Sequence, residues 1–397
     1  MRRWLLPEHI EDILPAEART LEGLRRRLAD LVERHGYEFV QPPLLEYTES
    51  LLSGTGRDLD LATFRVADRL SGRQLGLRAD HTPQVARIDA HLLNRSGVTR
   101  LAYCGSVLHT LPAGMTTTRE PIQLGAELYG HAGLEADLEV MRLMARVLAA
   151  AGHARVHADI GHPRIYRALV GDAPLEREDA EELFNAVQRK DAPAVASFAS
   201  RLGEGRAKAV AALTRLNGGA GVLAEARRVL PAGPVVEAAI AELERIGREL
   251  AEPGLEVSFD LAELGGFDYE SGVVFAAFAP GSPDALARGG RYDEVGRSFG
   301  RARPATGFTT DLRRLAALAP PIVLIAIVRA LLTADARGGA ATKMGALLVL
   351  TGLMFIFGGI GWMGQWLIDN VPILARLEEM FTSDSLRIEI MKKGAEK

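Results

Sequence analysis

Cysteine is almost absent from this 397-residue chain. Cys104 stands alone, which excludes an internal disulfide framework and leaves no thiolate set for a four-ligand zinc site. Lysine is scarce as well: residues 1–320 hold two, Lys190 and Lys208, beside many arginines. Neither sign of charge dominates. A formal net charge of −4 and a pI near 6.2 give no electrostatic footprint for nucleic acid. A secretory signal is not expected, because Pro7, Glu8, Glu11 and Asp12 interrupt the apolar stretch behind Arg2 and Arg3. The expected setting is reducing and cytoplasmic. Metal ligands at a usable spacing are missing, so no cofactor is expected. The length accommodates one large domain, a smaller one and a sizeable core.

Composition changes near residue 320. The last part of the chain holds Lys343, Lys392, Lys393 and Lys397, five of the nine methionines, and Trp362 and Trp366. Met344 to Ile368 carries no charge over 25 residues, longer than the roughly 20 apolar residues a bilayer crossing requires. It reads either as a buried, glycine-rich core helix or as a membrane helix, since glycine is tolerated better in lipid than in water. A domain over residues 1–318 followed by an atypical tail at 319–397 is therefore expected, with membrane attachment through 344–368 only.

Within the first part, Ala18, Leu21, Leu24, Leu28 and Leu31 recur at helical spacing, with Gly36 where a C-terminal cap belongs. Leu134, Leu138, Met141, Ala145 and Leu148 form a second stripe, closed by Gly152. Strand patterns lie at 37–41, 76–78, 100–104, 122–129, 255–260 and 272–278. Residues 160–250, rich in Ala, Glu, Arg and Leu, read as a helical insert. The alternation predicts an α+β fold around an antiparallel sheet flanked by helices.

Four segments carry the chemistry: Gly76–Arg87, Tyr103–Gly130, Leu261–Phe275 and Ala287–Leu315. In this order they resemble the catalytic domain of histidyl-tRNA synthetase, a class II aminoacyl-tRNA synthetase, over roughly residues 1–318. Gly36–Pro43 is similar to class II motif 1, which implies a self-dimer through that region. Arg78-Ala79-Asp80-His81-Thr82 stands where the family has R-P-E-G-T, and Arg119 to Glu127 where it has R-E-F-H-Q-L-G-C-E. Arg288 to Asp293 resembles G-G-G-R-Y-D, and Gly307–Leu315 resembles motif 3 with Arg314 kept. The resemblance implies that Asp80, Thr82, Gln123, Glu127 and Tyr269 bind histidine.

The departures bear on activity. Motif 2 in the family has an arginine followed two residues on by an acid; here the positions hold His109 and Leu111. The histidine-specific R-G-L-D-Y-Y segment reads Gly265-Gly266-Phe267-Asp268-Tyr269-Glu270, without its arginine and with glutamate for the second tyrosine. Asp311 replaces a glycine of motif 3. Attack of a carboxylate on an α-phosphate builds negative charge that fixed guanidinium groups stabilise, and losing one such donor costs about 3–4 kcal/mol. A histidine with a reference pKa of about 6.5 is no substitute for a permanent cation. Adenylation is expected to be lost, and no catalytic residue is assigned.

A histidine-sized pocket without adenylation machinery is similar to the family's non-catalytic paralogues, the regulatory subunits of ATP phosphoribosyltransferase. The opening at 6–28, the run Gly54–Phe64 and Arg78–Arg95 carry that closer resemblance. It implies a short-form catalytic subunit and L-histidine as partners, and a feedback role in histidine biosynthesis. Two other readings compete: an active histidyl-tRNA synthetase-like aminoacyl transferase, and a membrane-anchored histidine-binding protein. Plainer roles also stand beside the site readings. Gln123 and Glu127 have the lesser alternative of an internal hydrogen-bonded pair, Arg291 and Asp293 that of a brace for the Gly289-Gly290 turn, and His81 and His109 read first as pocket-lining or loop residues. The run Arg25-Arg26-Arg27 reads as a solvated helix face.

Overall fold

Apolar spacing in the first part of the chain packs the helices Pro15–Arg34 and Leu134–Ala150 against one face of a large sheet. The structure is a computed structural model that describes residues 4–318, apart from Thr55, Ala113, Met115, Thr116, Phe267–Tyr269, Gly281 and Pro283. The candidate ligand residue Tyr269 and the candidate membrane segment 344–368 therefore lie outside the described residues.

Helix α1, Pro15–Arg34, buries Leu21, Leu24, Leu28 and Val32; proline opens its first turn and Gly36 follows it with φ 83°. Strands β1 (Glu38–Phe39) and β2 (Leu45–Tyr47), helices α2 (Thr48–Leu51) and α3 (Arg57–Ala62), and strands β3 (Arg65–Ala67) and β4 (Gln74–Leu77) come next. Helix α4, Thr82–Arg87, continues into a π-helical turn, Ile88–Leu93, that ends at left-handed Asn94. Strands β5 (Thr99–Ser106) and β6 (Ile122–Tyr129) lead to helix α5, Leu134–Ala150, whose buried face includes Leu138, Met141, Met144 and Leu148.

After β7, Val156–Gly161, the helical insert is α6 (Pro163–Val170), α7 (Arg177–Gln188), α8 (Ala192–Ser197), α9 (Ala199–Leu202), α10 (Glu204–Leu213), α11 (Gly221–Val229) and α12 (Pro234–Glu249). The two-residue strand β8, Asn217–Gly218, interrupts it. Strands β9 (Leu255–Asp260), β10 (Val274–Phe278) and β11 (Ala287–Arg291), a 3-10 turn at Val295–Phe299, strand β12 (Ala305–Asp311) and helix α13 (Leu312–Leu318) complete the described chain.

Nine strands form one sheet in the order β1-β5-β6-β12-β11-β10-β7-β9-β8, and β2-β4-β3 form a small second sheet. The centre of the large sheet is antiparallel as expected, but β1 pairs with β5 and β7 with β9 in parallel, so the sheet is mixed. The β7–β9 pairing has a simple cause. The helical insert is a crossover that returns the chain in the same direction, which a hairpin cannot do. The strand read at 76–78 belongs to the small sheet. Alternation on β6 separates two faces: Leu124, Ala126 and Leu128 join α1 and α5 in the main core, while Gln123, Gly125 and Glu127 point the other way. Among the described residues, no helix is long and apolar enough to cross a membrane.

Candidate functional site

Cross-strand register assembles the front face of the sheet. Tyr103 on β5 stands opposite Gly125, Gly125 opposite Thr309, and Thr309 opposite Arg288. One step along, Leu101, Glu127, Gly307, Gly290 and Val274 form a parallel row. Directly opposed residues share a face, so these rows lie side by side. Gly290 and Gly307 in them leave the backbone bare, and a cavity of about 570 Å³ opens above, within the size range of small-molecule sites.

Glu127 is its deepest acid, 1% exposed. Thr82 and Tyr103 donate hydroxyl hydrogen bonds to its Oε1 at 3.1 and 3.0 Å, and the Tyr292 hydroxyl donates to Oε2. Burial holds its carboxyl well above the ordinary carboxylate range, with the charge of Asp80 adding to that effect and the donors from Tyr103 and Thr82 opposing it. The arrangement depends on Gly307, because a Cβ there would collide with the Glu127 carboxylate and the Tyr292 hydroxyl. A glycine inside a strand marks such a close approach.

The expected ligand residues divide. Asp80, Thr82 and Glu127 line the cavity. Gln123 stands beside it, and its side chain is already engaged. Its Nε2 donates to Asp80 Oδ1 at 2.8 Å, and its Oε1 accepts from the His81 backbone N–H at 3.0 Å and lies 2.7 Å from His81 Nδ1. Gln123 thus orients Asp80. The alternative reading of Gln123 and Glu127 as an internal pair gives way to a Gln123–Asp80 bond and a separate hydroxyl cluster on Glu127. His81 stacks on Tyr103 with ring centres 4.6 Å apart, and burial followed by the charge of Arg78 pushes its imidazole down to about 4. Arg78 itself donates to the carbonyls of Ser106 and Pro42 at 2.8 and 2.7 Å, so its cation serves the loop.

The positions that depart from the synthetase pattern have other partners. His109 Nε2 lies 2.9 Å from the Ala79 carbonyl, and Leu111 is 76% exposed. Asp311 does not line the cavity; its carboxylate accepts from the backbone N–H groups of Ile122 and Arg313 at 3.1 and 3.0 Å, tying β6 to the start of α13. Gly265 is at the cavity wall with φ 65°, and its carbonyl accepts from Gln188 of α7 at 2.8 Å. Arg314 is paired with Asp284 and donates to the Ala285 carbonyl at 3.1 Å. Arg291 braces as well as turns: it reaches Asp137 on α5 at 2.8 Å and the carbonyls of His131 and Gly133.

Sequence reasoning assigned no site role to Tyr103 or Tyr292 and read Glu270 only as a departure from the family segment. The strand glycines Gly125 and Gly307 were the available signal for the two tyrosines. Glu270 lines the cavity, and burial pushes its carboxyl up to about 7. Burial also raises Glu263, which faces Arg288 at 3.7 Å. Among the described lining side chains, six are acids: Asp58, Asp80, Glu127, Glu181, Glu263 and Glu270. Two are cations, Arg177 and Arg288, both mostly solvent-exposed.

Comparison with known proteins places this geometry. The family model described as histidyl-tRNA synthetase matches residues 9–315. The ATP phosphoribosyltransferase regulatory subunit of Ralstonia nicotianae is 55% identical over 337 residues, covering 85% of this chain and 87% of the relative. That of Cupriavidus taiwanensis is 55% identical over 317 residues, 80% of this chain and 82% of its own. A crystal structure of an ATP phosphoribosyltransferase regulatory subunit/histidyl-tRNA synthetase from Bacillus halodurans superposes with a TM-score of 0.70. It is 29% identical and covers 79% of this chain and 83% of that one.

Proposed function

We propose, from the premise that this chain belongs to the histidyl-tRNA synthetase family and within it to the ATP phosphoribosyltransferase regulatory subunits, a role for its cavity. The protein is a regulatory subunit acting in histidine biosynthesis, and the cavity is its sensor for L-histidine. Asp80, Thr82 and Glu127 receive the amino acid, and Gln123 holds Asp80 in place. The subunit works in the cytoplasm, dimerises through the motif 1 region and pairs with a short-form catalytic subunit. Exposed Leu44 and Leu45, just after Pro42-Pro43, support the dimer reading.

One observation carries the sensor role: six acids face two arginines in the cavity. Its carboxyl groups offer acceptors to ammonium and imidazolium N–H groups, whereas Arg177 and Arg288, paired with Glu181 and Glu263, leave little positive charge to hold a triphosphate. The side chains at the motif 2 arginine and acid positions add no cation, and each lost guanidinium removes about 3–4 kcal/mol of transition-state stabilisation. The subunit therefore binds histidine without activating it. Histidine then regulates by its different affinity for the two states of the complex.

The test is to mix the chain with a short-form ATP phosphoribosyltransferase catalytic subunit and follow phosphoribosyl transfer. Activity should rise on mixing and fall when L-histidine is added. A catalytic subunit equally active and equally histidine-sensitive with and without this chain would overturn the reading.

A further inference from the structure

Two of the departures from the synthetase pattern meet at one point in space. Gly265 stands where the family has an arginine, and Glu270 where it has a tyrosine. A Cβ built on Gly265 would fall 2.5 Å from the Glu270 carboxyl carbon and 2.6 Å from Oε1. The carboxylate therefore fills the space from which an arginine side chain would rise. On its other flank, Glu270 Cγ is 3.4 Å from the position of a Cβ on Gly290. The cavity has exchanged a permanent cation for an acid at the same locus.

The backbone N–H groups of Glu270 and Gly266 act on the Glu270 carboxyl, yet its Oε2 is sealed from solvent and has no hydrogen-bond partner. Buried polar atoms in native proteins are paired with few exceptions, and each exception calls for an explanation. An oxygen at a cavity wall has an obvious one: a donor carried by the ligand. The surrounding charges leave that role open. Arg167 of α6 acts on Glu270 favourably but more weakly than burial, Glu263 of the same loop opposes ionisation, and Arg288 turns to Glu263. Gln188 of α7 pins the loop at the Gly265 carbonyl.

We propose that Glu270 is a specificity-determining residue of the cavity: its free carboxylate oxygen accepts an N–H of the bound amino acid, and the Gly265–Glu270 exchange converts an anion-holding subsite into one for a cationic nitrogen. This rests on the reading of the cavity as a histidine sensor. A charge-assisted bond of this kind is among the stronger hydrogen bonds. Ligand binding favours the ionised form of Glu270, so histidine uptake near neutral pH releases a proton from it.

The experiment is calorimetric titration of the full chain with L-histidine between pH 6 and 8, in buffers of different ionisation enthalpy. Wild type is compared with Glu270→Gln, which keeps the shape and removes the charge, and with Glu270→Tyr, which restores the family residue. Thermal melts check that each variant is folded. Glu270→Gln should bind histidine about tenfold or more weakly and lose the released proton. Glu270→Tyr should lose the proton release as well. Wild-type binding with unchanged affinity and unchanged proton release in folded Glu270→Gln would overturn the role of Glu270 alone. Absence of histidine binding in the wild type would overturn the sensor reading and this inference with it.

Discussion

The guanidinium of Arg291 holds Asp137 at 2.8 Å in a pair that is 6% and 2% exposed, and the next residue, Tyr292, bonds to Glu127 at the cavity. One short stretch thus fastens the sheet to helix α5 and furnishes a wall of the pocket. A paired buried charge left alone is strongly unfavourable. Arg291→Met or Asp137→Asn should destabilise the chain by about 3–5 kcal/mol, read as a lower urea midpoint with unchanged slope. The double change Arg291→Met, Asp137→Leu should recover much of the loss. Equal stability of wild type and the single variants would refute the brace.

Gly307 offers a sharper test of the cavity floor. Gly307→Ala drives a methyl group into the Glu127 carboxylate and the Tyr292 hydroxyl. Overpacking of this kind costs about 1–3 kcal/mol. Histidine affinity should collapse while the chain still folds, which paired melts and titrations will reveal.

Stability should also depend on pH through Glu270. Its folded carboxyl is raised from an ordinary 4.5 to about 7 by burial, so the folded state holds the proton more tightly than the unfolded one. That contribution is complete below about 4.5 and is lost as pH rises through about 7. Glu270→Gln removes it. The variant should match wild type near pH 4 and become more stable by roughly 3 kcal/mol near pH 8, since each pKa unit corresponds to about 1.4 kcal/mol. Parallel pH-dependent denaturation curves for the two proteins would reject this.

Adenylation should be missing and not easily restored. Histidine-dependent pyrophosphate exchange is expected to be undetectable in wild type and in the double variant His109→Arg, Gly265→Arg. The second substitution puts a side chain at φ 65° against the Glu270 carboxylate, a strained and crowded start for an arginine. Exchange at an ordinary synthetase rate in either protein would contradict the reading.

Much of this architecture is written locally. Helices α1 and α5 follow from apolar residues at helical spacing and a closing glycine, and strands β6 and β9 coincide with their sequence patterns. The parallel edges were not legible, since alternation along β1 or β7 says which face is buried and nothing about the direction of the neighbour. Motif positions brought Asp80, Thr82 and Glu127 to one cavity. They did not reveal that Gln123 already serves Asp80, because a side chain's partner depends on register across strands. Asp311 is the clearest case. Its place in motif 3 suggests a charge beside a nucleotide, while its carboxylate caps the backbone of Ile122 and Arg313. Glu270 was visible as a substitution, but its meeting with Gly265 emerges only in three dimensions.

The bare backbone at Gly290 and Gly307 sets a limit on how this pocket can diversify. No residue is smaller than glycine, so every mutation at those points subtracts room. New preferences must arise at the rim, from the loop ending at Glu270, from α7, or from the turn of α3. The floor is inherited as a fixed mould, and adaptation is confined to the walls around it.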